Sequence, residues 1–270
     1  MQDLPSAASA ACHAPARFRL QPDRRAEAAR RRRLLRDLDV AITQDAPSLL
    51  LRPRVSLSDG HPVAEEASWR WSHRRHGTLP GTALADMAGK SALGERLALW
   101  FLRRLCHLAA RRTTCIPISL RVPRALLPLP VLEHHLLAAL MDSRAIPALL
   151  ELRFAEDQLN DLSPEDVLVL SRLRDMGVGI ALEQFGSGPT SLGLLRRLPL
   201  SAVILAADLL RHLPQDDDDR AMLHAIIAAA HGLGLATVAC GVERQAQMNL
   251  LRTLGCGAAQ GPGIAFGLAA

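Results

Sequence analysis

The chain has 270 residues, enough for one large domain, and is 49% hydrophobic but 3% aromatic with no tyrosine, so its interior has to be built from Leu, Ala, Val and Ile. Its net charge of +5 sits largely in Arg24, Arg25, Arg30, Arg31, Arg32, Arg33 and Arg36, without interleaved aromatic residues, which reads as a solvated helical face and argues against nucleic acid. Five widely spaced cysteines (Cys12, Cys106, Cys115, Cys240, Cys256) with no CxxC pair argue against a disulfide framework or zinc site and for a reducing cytoplasm, and no run of about 18 apolar residues offers a membrane span.

Residues 1–21, rich in Ala, Pro and Ser, read as a disordered tail. Residues 22–44 read as an N-terminal helix whose Leu34, Leu35, Leu38 and Ala41 recur at helical spacing and dock on the remainder, 45–270. Short aliphatic runs then alternate with helical patterns. The strands are expected at Leu49–Leu51, Ile116–Leu120, Ala148–Leu152, Gly179–Leu182, Ala202–Leu205, Ala236–Ala239 and Ala258–Gln260. Helices are expected at Leu93–Ala110, Pro130–Met141, Pro164–Met176, Ser191–Leu198, Asp217–Leu233 and Gln245–Leu254. Seven or eight βα units favour a closed barrel over an open sheet, and barrels carry their chemistry at the C-terminal ends of the strands. Trp69 and Trp71, at alternating spacing, read as packing on one barrel strand; His73 with His76, and His134 with His135, read as surface or core histidines; and Asp216–Asp219 reads as an acidic run favouring a helix N-terminus.

Several stretches, in order, carry a resemblance. Glu66-Ala-Ser-Trp-Arg-Trp71 with His73 resembles EALLRWxH, and Leu150-Glu-Leu152 resembles the LELTE strand end, with Arg153 and Phe154 in place of its last two residues. Gly177-Val-Gly-Ile-Ala-Leu-Glu-Gln-Phe-Gly-Ser-Gly-Pro-Thr-Ser-Leu192, followed by Leu195-Arg-Arg-Leu-Pro199, resembles the DDFGTGYSSL loop and its LKxLP helix. Ala239-Cys-Gly-Val-Glu243, Gln247, Leu254-Gly-Cys256 and Gln260-Gly261 resemble AEGVE…Q…LGC…QGY. These are the motifs of the EAL family, whose members hydrolyse cyclic di-GMP with two divalent metals. The resemblance implies an α/β fold, a TIM-like (β/α)8 barrel. Because the sequence stops soon after the last strand, the closing C-terminal helix is expected to be missing or very short, with the N-terminal helix or a partner completing the barrel.

The resemblance also supplies a checklist. Glu66, Glu151, Glu183 and Glu243 match acidic metal-binding positions, Arg70 matches a phosphate-contacting arginine, and Arg52 and Gln260 fall on ligand-contacting motifs. Ser119 stands for a metal-binding asparagine, Gln184 for an aspartate, Ile204 for the lysine near the attacking water, Ala206 for an aspartate and Cys240 for a glutamate. Those replacements remove anions and a water-orienting group, so the resemblance implies a chain that is not an enzyme, with no cofactor beyond a vestigial Mg²⁺ or Mn²⁺ site. Its expected role is regulation through an unknown protein partner; the alternatives are a non-hydrolysing cyclic-di-GMP receptor and a residual phosphodiesterase. The Phe185-Gly186…Gly188…Ser191-Leu192 loop, which supports dimerisation in the family, points to a homodimer.

Overall fold

A computed structural model describes residues 24–186 and 192–264; the expected tail and the stretch where a closing helix would lie fall outside them. The first helix, α1 (Arg24–Thr43), buries Leu34, Leu38 and Ala41 as the periodicity predicts, and it leaves Arg30, Arg31, Arg32, Arg33 and Arg36 exposed. It packs against α2 (Gly81–Ala88) and α3 (Ala92–Arg111), with Asp37 paired to His73 at 3.3 Å and Asp39 paired to Arg96.

Eight strands close a barrel. β1 (Ser48–Ser56) runs antiparallel to β2 (Pro62–His73), which runs parallel to β4 (Ile118–Arg121). The parallel series continues through β5 (Leu150–Ala155), β6 (Gly179–Phe185), β7 (Ala202–Leu205), β8 (Ala236–Cys240) and β9 (Ala258–Gln260). β9 pairs antiparallel with β1 and closes the ring, while β3 (Gly77–Pro80) forms a hairpin arm on β2 outside it. Around the ring lie α4 (Leu129–Ser143), α5 (Pro164–Asp175), α6 (Leu192–Arg197), α7 (Asp217–Gly232) and α8 (Gln245–Thr253). Asp216 caps α7, accepting from the backbone N–H groups of Asp218 and Asp219 at 3.0 Å, the role expected of the acidic run. No helix among the described residues is long and apolar enough to cross a membrane.

Strand positions follow the sequence reading with two shifts and one omission. Pro117 has no N–H to give the ladder, so β4 starts after it, and a single 3-10 turn at Pro147–Leu149 delays β5 to Leu150. The omission is the span of β2, of which only Trp69 and Trp71 read as barrel strand, together with its arm β3. On β2 the buried Ala64, Ala67, Trp69 and Trp71 are interleaved with Glu65, Glu66 and Arg70, which breaks the apolar alternation that marks a strand.

Side chains of a strand alternate between lumen and helix layer. On β5, Leu150, Leu152 and Phe154 are fully buried in the main core, while Glu151 and Arg153 share the other face. The lumen has two unlike halves. One is a small aliphatic cluster of Ala181, Ala202, Ile204, Val238 and Ala258 from β6 to β9. The other, built by β1, β2, β4, β5 and β6, is charged.

Candidate functional site

The charged half of the lumen stands on period-two spacing. Arg52 and Arg54 lie two apart on β1, Ser119 and Arg121 on β4, and Glu151 and Arg153 on β5, so each pair points inward at successive heights. At the lower level Arg54, 3% exposed, donates from Nη1 to both carboxylate oxygens of Glu151 at 3.0 and 3.2 Å and from Nη2 to the Ser119 hydroxyl at 3.3 Å. Ser119 Oγ donates in turn to Glu151 Oε1 at 2.5 Å. At the upper level Arg153, 4% exposed, donates from Nη2 to Glu66 Oε1 at 2.8 Å, and its Nη1 lies 3.8 Å from Glu183 Oε2. Arg121 donates to the other oxygen of Glu183, and Gln260 Nε2 donates to Glu66 Oε2 at 2.5 Å. Gln260 also reaches Cys240 Sγ at 3.5 Å. Burial, and after it the Glu66 carboxylate, pushes the Cys240 thiol above its ordinary range, so it sits there as a neutral group.

Above this floor opens a cleft of about 1020 Å³. Glu66, Arg153, Glu183 and Cys240 form its bottom, and Trp69, Leu97, Ala98 and Phe101 give it an apolar wall. Arg52, Arg70 and Lys90 line it, and among the described residues none of the three has an ion-pair partner. Gln184 is exposed at the rim with φ +60, where the β6–β7 register slips between Leu182 and Phe185. A bulge of this kind re-aims a side chain at a sheet end, here over the cleft.

The structure thus brings together Glu66, Glu151, Glu183, Ser119, Cys240 and Gln260, with Arg52, Arg70, Gln184, Ile204 and Ala206 at the cleft above. Glu243 is not in the group: it is exposed beyond β8, and its backbone N–H donates to Gln247 Oε1 at 3.0 Å. Ile204 belongs to the aliphatic half of the lumen, 2% exposed. The sequence reading assigned no role to Arg54, Arg121 and Arg153. Their signal was the strand period itself, since Arg54, Arg121 and Arg153 follow Arg52, Ser119 and Glu151 by two positions.

A two-cation site needs carboxylate oxygens free to coordinate. Glu66, Glu151 and Glu183 offer six, and every one is met by a protein donor or guanidinium. In this arrangement a divalent metal pair would bind only by displacing those donors.

The family model described as EAL domain matches residues 35–265. The chain belongs to the EAL domain family. Its relatives include the cyclic di-GMP phosphodiesterase NbdA of Pseudomonas aeruginosa, 32% identical over 231 residues, covering 83% of this chain and 29% of that protein. The bifunctional diguanylate cyclase/cyclic di-GMP phosphodiesterase MucR of the same organism is 30% identical over 246 residues, covering 84% of this chain and 34% of that protein. This EAL chain therefore spans about a third of the length of these two relatives. Among solved structures, the PaMucR phosphodiesterase in complex with c-di-GMP superposes with a TM-score of 0.76 at 30% identity, covering 86% of this chain and 96% of that one. The expectation that the chain is not an enzyme is corrected by these relatives, which are named as phosphodiesterases and share the EAL domain across most of its length. The dimerisation loop lies partly in residues 187–191, outside the described residues.

Proposed function

We propose that the cleft receives cyclic di-GMP and that the chain works in cyclic-di-GMP signalling with the phosphodiester chemistry of its relatives. The observation that carries this reading is the pairing of three unpaired cations, Arg52, Arg70 and Lys90, with an apolar wall containing Trp69 and Phe101 over one large cleft. A cyclic dinucleotide presents two phosphodiester anions, which guanidinium forks suit. Regulation through a protein partner is a further role compatible with the same fold, and it rests on the family resemblance alone.

Calorimetric titration with cyclic di-GMP tests the reading directly. Saturable 1:1 binding is expected, and Arg70→Ala should weaken it about tenfold or more, the range for a lost charge-assisted contact. Chromatography of the mixture for the linear dinucleotide tests turnover. Absence of heat at high-micromolar protein would refute the ligand assignment.

A further inference from the structure

The floor of the cleft holds three carboxylates, Glu66, Glu151 and Glu183, and three guanidinium groups, Arg54, Arg121 and Arg153, so it is neutral by itself. Arg54 and Arg153 are both more than nine-tenths buried. Arg153 bridges Glu66 on β2 and Glu183 on β6, and it lines the cleft, whereas Arg54 lies beneath it with Glu151. Two buried polar atoms at this level have no hydrogen-bond partner among the described residues, Arg153 Nε and Gln260 Oε1.

We propose that Arg153 is a resident cation that competes with divalent metal for the carboxylates of the mouth, so that metal enters only by displacing it. A divalent ion placed between Glu66 and Glu183 would meet the Arg153 guanidinium within a few ångströms, in surroundings where like charges are poorly screened. It would also find both Glu66 oxygens and one Glu183 oxygen already hydrogen-bonded, and a buried guanidinium stripped of its carboxylates is costly to leave in place. The inference is independent of cyclic di-GMP binding, because the metal alone is the probe.

Titration of Mn²⁺ into the protein, with free Mn²⁺ followed by electron paramagnetic resonance, gives the test. The expected result is no stoichiometric binding by the parent protein at ~100 µM metal and at least about tenfold tighter binding by Arg153→Thr, equivalent to ~1.4 kcal/mol. Arg153→Gln keeps an amide that can still reach Glu66 while removing the charge, and it should gain affinity as well. Circular dichroism identifies which variants are folded. Low-micromolar Mn²⁺ binding by the parent protein, or a folded Arg153 variant that binds metal no tighter than the parent, would overturn the proposal.

Discussion

Replacing Arg54 by methionine keeps most of its volume in the lumen but removes the charge that Glu151 leans on. Arg54 gives Glu151 two charge-assisted hydrogen bonds and Ser119 a third, and the Glu151 side chain is 13% exposed, so water cannot take over. Breaking a buried pair by removing one partner costs ~3–5 kcal/mol, most of it the penalty of the carboxylate left behind. For a domain of this size each kcal/mol shifts the melting temperature by ~2–4 °C, so Arg54→Met should lower it by about 6–20 °C. The decisive arm is the double variant Arg54→Met with Glu151→Leu, which removes both charges. It should recover most of the loss, because apolar replacement of a complete buried pair is close to neutral. Urea denaturation of the four proteins in the cycle supplies the coupling energy. A loss below ~1 kcal/mol for the single variant, or strictly additive losses in the double, would refute the view that this half of the lumen is a closed charge-neutral cluster.

The rest of the molecule offers sharper local tests. A Cβ at Gly81 would fall inside the Trp69 indole, so Gly81→Ala should cost about 1–3 kcal/mol, seen in denaturation, with a change in tryptophan emission. Leu38 is fully buried where α1 meets the barrel, and Leu38→Ala should cost about 2–5 kcal/mol, whereas exposed Arg33→Ala on the same helix should stay within about 0.5 kcal/mol in the same experiment. In a Cys12→Ser background, Cys115 is exposed and should react first with a thiol reagent at neutral pH. Burial pushes the Cys106 thiol up to about 12 and raises Cys256, and Cys240 is raised as well. A raised thiol pKa withholds the reactive thiolate as pH climbs through 7 to 9, so these three should label slowly until the protein unfolds. Rapid labelling of Cys106 in the native protein, followed by mass spectrometry, would contradict its placement.

How the chain folds was largely legible in its letters. The aliphatic runs that became β6 to β9 are buried on both faces and stand out against amphipathic helices, and the ordered motifs identified the family before any coordinates. β2 was legible only at Trp69 and Trp71, because Glu66 and Arg70 are charged and a charged lumen looks like a surface when read one strand at a time. The same ambiguity misled the reading of activity: replacements at Ser119, Gln184 and Ile204 were taken to set the outcome, and the likeness to named phosphodiesterases corrected it. What sequence alone determined was the barrel and the set of family carboxylates. Only the tertiary structure decided what those carboxylates hold. Arg54 meets Glu151 across 97 residues and Arg153 meets Glu66 across 87, and such partnerships depend on which strands the closed ring makes neighbours and at what height. Strand period fixes which face a side chain takes; the shear and closure of the barrel fix the opposite charge it will find there.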